Sequence, residues 1–343
     1  MKCYVILFSL VFVLLLLIPL PALGVLGTDK LPRPSSDASS DASSNAGTDS
    51  AGSSPALTSG TFRILDTKSG QVIEMPERQF IIGTVAAEMY PTYHVEALKA
   101  QAVASYTYYG YKRTRARANP SSDLQGADFS DVPSTFPTLY TEEGMRQRWG
   151  NNYDTYYNKI AGAVDAVLGK VICYDNEPIM AAYHAMCFGN TEEASVVWGQ
   201  EYPYLKSVPC PGDKLCPSFE SVEIFTPEQF AKAMNEGIEG MELTGDPSKW
   251  LGDDLQHSAA GTVTRLSVGG KALTGREIRR VLNLRSACFT VAFTDNTFRF
   301  TVQGYGHGVG MSQYGADYLA RQGNSWQEIL QYYYTGVTIA DAA

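Results

Sequence analysis

The sequence predicts an α+β fold: a single irregular domain in which helices alternate with mixed and antiparallel strands. Strand-like and helix-like segments follow one another from residue 61 to residue 343 without the regular βαβ order of a doubly wound sheet. The 343 residues are 44% hydrophobic and include 21 tyrosines, enough for a large core and an aromatic cleft. The formal net charge of −9 argues against nucleic acid as a partner.

Residues 1–27 predict a single transmembrane helix ahead of this domain. Lys2 is followed by an almost continuous apolar run from Tyr4 to Leu26. About 20 helical residues are enough to cross a hydrocarbon core of ~30 Å. A cleaved signal peptide is the alternative, with Ala22-Leu23-Gly24 as its cleavage site. An anchor would hold the rest of the chain on the extracytoplasmic side of the cell membrane.

Residues 28–60 predict a disordered tether. They are mostly Ser, Ala, Asp, Gly and Pro, with few side chains that can pack. Such a segment cannot recover its ordering entropy through burial. We therefore expect the folded domain to span residues 61–343.

Phe80–Arg113 predicts two helices separated by a short break. The first should end at Tyr90-Pro91, because a residue before proline is disfavoured in the α region. The second should restart near His94, with Thr92 as its cap. The pair places Glu88 at the end of the first helix.

Glu88 is the candidate catalytic residue. It follows Ile81 and Val85 at positions i, i+4 and i+7, so it lies on the apolar stripe of its helix. Burial usually raises the pKa of a carboxyl group, which suits a general acid. The alternative is a structural glutamate paired with a lysine or an arginine.

The remaining elements are predicted from periodicity, caps and turn residues. Asn119–Gln147 is rich in turns and predicts a loop or insertion. Helices are predicted at 156–167, 226–234, 275–282, 316–321 and 326–333, and strands at 61–65, 169–174, 178–184, 261–268, 289–294 and 297–302.

Gly304–Ala316 is a glycine-rich stretch with His307 between two glycines. Glycine lets a backbone adopt left-handed turns and approach a ligand closely. His307 is therefore a candidate proton carrier, hydrogen-bond donor or metal ligand. A tight loop whose histidine bonds to nearby backbone is the alternative.

Five cysteines lie outside the predicted anchor, so at least one is left out of intramolecular disulfides. Cys210 and Cys216 flank a Pro-Gly-Asp turn and could form a local disulfide in an oxidising compartment. The same two residues with His184 and Cys187 would make a four-ligand zinc set. Free thiols are the third option, and no other cofactor is indicated.

Tyr204 and Lys206 alternate on a possible strand, which would direct both side chains to one face. A tyrosine beside a charged donor is suited to binding sugars. A surface lysine is the ordinary alternative.

Four stretches together resemble the stage II sporulation protein D family, which includes amidase-enhancer proteins of bacterial cell walls. The resemblance covers nearly all of residues 61–343. The stretches are IIGTVAAEMYPTYHVEALKAQAVASYTY, AAYHAMCFGNTEEASVVWG with YLKSV, LTGREIRRVLNLRSACF, and GYGHGVGMSQYGADYLARQG with ILQYYYTG.

The resemblance implies a lytic transglycosylase that cleaves peptidoglycan between N-acetylmuramic acid and N-acetylglucosamine, forming a 1,6-anhydro product. Glu88 would be the catalytic acid and base, and no cofactor would be required. Tyr106 stands where the family often has an arginine, and Met186-Cys187-Phe188-Gly189 replaces the family's usual turn. The substrate-binding positions implied are Tyr204, Lys206, Tyr106, His307, Gln313 and Tyr333.

The family also implies partners and a place of action. Its members prefer glycan strands stripped of stem peptides by an amidase, stage II sporulation protein P. A membrane scaffold, stage II sporulation protein M, joins the two during engulfment of the forespore, on the mother-cell side of the septum. The two departures keep an alternative open, in which a non-catalytic wall-binding protein stimulates an amidase.

Overall fold

The computed structural model describes residues 60–131 and 139–342. The predicted anchor at 1–27 and the predicted tether, apart from Gly60, lie outside the described residues. No helix among the described residues is long and apolar enough to cross a membrane. The described chain mixes helices and strands, which confirms the predicted α+β class.

The described elements alternate irregularly along the chain. The helices are α1 (Glu77–Glu88), α2 (Val95–Ala118), α3 (Glu142–Trp149), α4 (Tyr153–Asp165), α5 (Ala194–Trp198), α6 (Pro227–Gly237), α7 (Gly275–Leu282), α8 (Gln313–Arg321) and α9 (Trp326–Tyr333). The strands are β1 (Thr61–Asp66), β2 (Gln71–Pro76), β3 (Phe129–Ser130), β4 (Lys170–Tyr174), β5 (Glu177–Pro178), β6 (Tyr183–His184), β7 (Glu220–Phe225), β8 (Gln256–His257), β9 (Val263–Val268), β10 (Lys271–Leu273), β11 (Phe289–Thr294), β12 (Thr297–Gln303), β13 (Met311–Ser312) and β14 (Thr338–Asp341).

Helix α2 is the centre of the larger hydrophobic core. It packs against α1, α4, α8, α9 and strand β4. Four of its buried residues are alanines: Ala97, Ala100, Ala102 and Ala104. Small side chains at a helix contact allow the helix axes to approach closely. A single long helix can therefore support several neighbours, including the two that carry Glu88 and Gln313.

A second core forms around the antiparallel sheet β11-β12-β7. Phe230 of α6 stacks on Phe298 of β12, with ring centroids 4.1 Å apart. The β11–β12 hairpin turns at Asp295 and Asn296, whose φ angles are 51° and 54°. Two successive left-handed residues make the type I′ turn that fits the twist of a two-residue hairpin. The predicted turn is therefore confirmed.

The glycine-rich stretch lies against residues 182–188, and β13 pairs with β6 in parallel. Gly310 has a φ of +71°, and a Cβ there would lie 2.0 Å from the carbonyl oxygen of Ala182. Only glycine fits so close an approach. Gly310 therefore allows the glycine-rich stretch to pack closely against Ala182.

Several boundaries differ from the predictions. The cap of α2 is His94, whose Nδ1 accepts a hydrogen bond from the Glu96 amide at 3.3 Å, so the prediction of Thr92 was wrong. Helix α8 begins three residues earlier than predicted, because Ser312 caps it. Helix α3 begins within the stretch predicted as a loop, Asn119–Gln147, and ends two residues beyond it. No strand forms around Tyr204.

Candidate functional site

Glu88 and Gln313 meet where helices α1 and α8 come together. Gln313 Nε2 donates a hydrogen bond to Glu88 Oε2 at 3.1 Å. Helix α1 ends at Glu88 because the next residue, Met89, is extended, two residues before Pro91. Helix α8 starts at Gln313 because the Ser312 hydroxyl accepts from the Gly315 amide. The structure thus joins two predicted site residues that are 225 positions apart.

A chain of uncharged polar side chains continues inward from this contact. Gln313 Nε2 also lies 3.4 Å from Gln101 Oε1. Gln101 Nε2 donates to Ser105 Oγ at 3.0 Å, and Ser105 Oγ donates to the Tyr183 hydroxyl at 3.5 Å. All four residues are buried. The sequence analysis did not single out Gln101, Ser105 or Tyr183. A signal was present for two of them, because Gln101 and Ser105 are polar residues at positions i and i+4 on an otherwise apolar helix face.

Glu88 is half-buried and affects the tyrosines beside it. Burial raises the pKa of Tyr183 well above its ordinary value, and the negative charge of Glu88 adds to this. Burial likewise raises the pKa of Tyr109, with a smaller contribution from Glu88. Both phenols therefore stay protonated at physiological pH.

Tyr106 belongs to helix α2 and lies beside Glu77, at the end of helix α1 opposite to Glu88. Its hydroxyl is 3.4 Å from both carboxylate oxygens of Glu77. Arg113, fully buried, donates to the same carboxylate at 2.7 Å. Eleven residues of helix separate Glu77 from Glu88, about 16 Å at 1.5 Å per residue. The structure does not bring Tyr106 to Glu88, and its role in substrate binding stays a prediction.

Tyr204 and Lys206 lie in an irregular segment, so the strand argument for a shared face does not hold. Tyr204 is 9% exposed, and its hydroxyl accepts a hydrogen bond from the Met180 amide at 3.1 Å. Its ring centroid lies 5.7 Å from that of Tyr174 and 5.7 Å from that of Tyr202. Lys206 is half-buried. Tyr204 therefore has a structural role, and the substrate contacts of both residues stay predictions.

His307 is held by its own loop and by two neighbouring rings. The Val309 amide donates to its Nδ1 at 3.0 Å. Its ring centroid lies 5.3 Å from that of Trp198 and 5.6 Å from that of His184. Burial lowers the pKa of His307 well below its ordinary value, and His184 and Arg279 act in the same direction. His307 is therefore neutral near pH 7, which does not suit a cationic proton donor.

Cys187, Cys210 and Asp213 form a buried group whose possible ligand atoms lie within 4.8 Å of one another. Asp213 Oδ2 accepts hydrogen bonds from the Cys187 amide and the Ser312 hydroxyl, each at 2.7 Å. Burial raises the pKa of Asp213 to about 6. Tyr333 is 1% exposed, with its hydroxyl 3.8 Å from Cys210 Sγ. It thus faces this group.

The predicted four-ligand zinc set does not assemble. His184 Nδ1 bonds to the Val309 carbonyl at 3.1 Å, and Cys216 Sγ lies 3.3 Å from Ser218 Oγ. Cys210 instead lies beside Cys187 and Asp213. All five described cysteines are free thiols, which is the third of the three options that the sequence left open, and the Cys210–Cys216 disulfide is not formed.

Comparison with known proteins identifies the family. Residues 66–174 match the family described as Stage II sporulation protein. The chain is 35% identical over 276 residues to Stage II sporulation protein D of Bacillus subtilis (strain 168), covering 80% of this chain and 78% of that protein. It is 36% identical over 276 residues to Stage II sporulation protein D of Bacillus amyloliquefaciens, covering 80% and 77%.

A more distant relative is the amidase enhancer of Bacillus subtilis (strain 168), 26% identical over 304 residues that cover 75% of this chain and 40% of that protein. The sporulation proteins are the stronger matches in both identity and coverage. The family match at residues 66–174 includes Glu88. The chain belongs to the stage II sporulation protein D family.

Proposed function

We propose that this protein is a lytic transglycosylase that cleaves peptidoglycan between N-acetylmuramic acid and N-acetylglucosamine. The observation that carries the proposal is the 3.1 Å hydrogen bond from Gln313 to Glu88. It joins the two sequence stretches that most resemble the family. It also aims a neutral donor at a half-buried carboxylate at the end of a rigid helix.

Glu88 would act first as an acid and then as a base. Its protonated form donates to the glycosidic oxygen, and its charged form accepts the proton of the muramic 6-hydroxyl as that oxygen attacks the sugar's C1. Ring closure gives the 1,6-anhydro end without water. A glycoside hydrolase normally uses two carboxylates, whereas this reaction needs one and no cofactor.

Gln313 suits both protonation states of Glu88. Its Nε2 donates to the charged carboxylate, and a hydrogen bond to a charged group is worth more than one between neutral groups. An amide also has an oxygen that can accept from a protonated carboxyl group. The buried chain through Gln101 and Ser105 holds the amide in place.

The proposed place of action rests on the family resemblance. Residues 1–27 would anchor the protein in the cell membrane, with the described domain on the extracytoplasmic side at the engulfing septum. The substrate would be glycan stripped by stage II sporulation protein P, with stage II sporulation protein M as the scaffold.

The test uses sacculi with and without prior amidase treatment. Wild type should release glycan with anhydro ends from the treated sacculi, and Glu88→Gln should release none. A Glu236→Gln variant, changed at an exposed glutamate of α6, serves as the matched control. Absence of anhydro ends with wild type would refute the proposal.

A second candidate function is stimulation of a cell-wall amidase without cleavage of glycan. Two observations favour it: the similarity to the amidase enhancer and the position of Tyr106, which faces Glu77 instead of the Glu88 site. In that case wild type and Glu88→Gln should raise the rate of peptide release by an added amidase equally, and neither should produce anhydro ends.

A further inference from the structure

A cavity of about 750 Å³ lies between helices α5 and α7. Its lining includes Trp198 at the end of α5, His307 of the glycine-rich stretch, and the α7 arginines Arg276, Arg279 and Arg280. Cavities of roughly 300–1,000 Å³ are typical of small-ligand sites. Glu88 does not belong to the lining, so the cavity is distinct from the Glu88 site.

Strand β6 separates the two sites. Successive residues of a strand point to opposite faces. The hydroxyl of Tyr183 lies 3.5 Å from Ser105, in the polar chain that reaches Glu88. The ring of the next residue, His184, lies 5.6 Å from His307 at the cavity. The cavity therefore lies on the other face of β6 from the Glu88 chain.

The lining of the cavity is cationic. Arg276, Arg279 and Arg280 occupy positions i, i+3 and i+4 of α7 and so share one face. Glu277 is the acidic residue of the lining, and its carboxylate accepts hydrogen bonds from the Thr274 amide and hydroxyl, each at 2.8 Å. Three arginines and one glutamate give the lining a charge of +2.

Two of the arginines are held in place by backbone carbonyls. Arg276 Nη1 donates to the Val197 carbonyl at 3.3 Å, and Arg280 Nη2 donates to the Gly237 carbonyl at 2.7 Å. Within the described residues, neither forms an ion pair with a carboxylate. A guanidinium has five N–H groups, so these bonds orient the side chain and leave donors for an anion.

We propose that this cavity binds the lactyl carboxylate of a muramic acid residue, with Arg276 and Arg280 holding the carboxylate and Trp198 covering the sugar face. Arginine forms bidentate hydrogen bonds with carboxylates, and tryptophan supplies a large apolar face. Since His307 is neutral, the positive charge that attracts the ligand belongs to the arginines.

The assignment rests on the proposed function, because it concerns the same glycan at a second position. Before an amidase acts, the lactyl group forms a neutral amide with the stem peptide. After the amidase acts, the same group is a free carboxylate with one negative charge. A cationic cavity therefore distinguishes stripped from intact strands, and it would hold a strand while Glu88 cleaves elsewhere along it.

The test measures binding without cleavage, using the full-length Glu88→Gln protein in mild detergent and isothermal titration calorimetry. The ligands are peptide-free oligosaccharides of alternating N-acetylglucosamine and N-acetylmuramic acid, their methyl esters, and N-acetylglucosamine oligomers of equal length. We expect the free carboxylate to improve affinity about tenfold over both neutral ligands.

Variants locate the effect. Adding Arg276→Gln and Arg280→Gln to the Glu88→Gln protein should reduce the preference for the free carboxylate over the neutral ligands to less than about twofold. Binding of the neutral oligomers should stay unchanged. Lysine at both positions should retain most of the preference, because the charge remains. Arg299→Gln, at an exposed arginine of β12, should leave it intact. An unchanged melting temperature excludes misfolding of the double variant.

Two outcomes would overturn the assignment. One is equal affinity for the acid, its ester and the neutral oligomer. The other is that poly(glycerol phosphate) binds more tightly than the glycans and is displaced by neither the acid nor the neutral oligomer. The cavity would then be a site for a phosphate polymer. If binding depends on the carboxylate but the wild-type protein makes no anhydro ends, only the proposed function is refuted. Anhydro ends without carboxylate-dependent binding would refute only the cavity.

Discussion

The two ends of helix α1 each carry a glutamate, and the two have different partners. Glu77 at the first turn pairs with the fully buried Arg113 at 2.7 Å. Glu88 at the last turn accepts from the neutral amide of Gln313 at 3.1 Å. A buried cation needs a negative partner at all times, whereas an amide can bond to either form of a carboxyl group. The Glu77 end therefore suits a role in stability, and the Glu88 end is where the proposed mechanism places proton transfer.

The largest expected effect on stability is at the Glu77 end. Glu77→Gln removes the carboxylate charge that pairs with the buried Arg113, which should lower the free energy of unfolding by about 3–5 kcal/mol. Urea unfolding of this variant measures the loss. Replacing both partners, as Glu77→Leu with Arg113→Met, should restore most of the stability. A loss below about 1 kcal/mol in the single variant would contradict the role given to the ion pair.

His184 follows Tyr183 in strand β6 and is buried. Burial lowers the pKa of His184 from 6.5 to about 4, so between these values the unfolded state binds more protons. Stability should therefore fall as pH falls from 6.5 towards 4, by about 3 kcal/mol from this residue.

The matched variants for this effect are His184→Asn and His257→Asn. Asparagine can donate to the Val309 carbonyl as His184 does but does not titrate. The fall in unfolding free energy between pH 6.5 and pH 4 should shrink in His184→Asn relative to wild type, and His257→Asn, at an exposed histidine, is the matched comparison. Parallel pH profiles for wild type and His184→Asn would contradict the prediction.

Gln313 tests the Glu88 end directly. Gln313→Leu removes the donor to the carboxylate, a hydrogen bond worth about 1.5–3 kcal/mol when the acceptor is charged. We expect kcat to fall roughly tenfold to a hundredfold, with a shifted pH–rate profile. Gln322→Leu, at the exposed C-terminal end of the same helix, is the control. An unchanged kcat and pH profile would remove Gln313 from the mechanism.

Tyr106 should show the smallest effect. Its hydroxyl lies 3.4 Å from the Glu77 oxygens, which is long for a hydrogen bond between oxygens. Tyr106→Phe should therefore lower the unfolding free energy by no more than about 1 kcal/mol and leave glycan cleavage unchanged. A large loss of cleavage in a stably folded Tyr106→Phe protein would restore the predicted substrate role.

Local elements were readable from the sequence. Helices 275–282 and 326–333 were predicted with their observed limits, because Thr274 and Ser325 begin capping boxes. The Asp295-Asn296 turn was readable because both residues tolerate left-handed backbone. Each of these signals lies within a few residues of the element that it specifies.

Long-range contacts were not readable. The strand predicted at 178–184 is present only at its two ends, as Pro178 of β5 and as β6. Strand β6 pairs with β13 more than 120 positions away, and no local pattern indicates that pairing. The family resemblance pointed to Glu88 and Gln313 separately, but nothing local indicated that Gln101 and Ser105 would link them to Tyr183. Tyr204 and Tyr333 were expected at the substrate, whereas tertiary packing buries both.

The most direct test compares Glu88→Gln with Glu77→Gln on soluble, peptide-free glycan, with rates normalised to the folded fraction and glycan ends identified by mass spectrometry. The account predicts anhydro ends from wild type and, at a comparable rate, from folded Glu77→Gln. It predicts a loss of about a thousandfold or more in Glu88→Gln, near the upper range for a general acid. Anhydro ends from Glu88→Gln at the wild-type rate would contradict it.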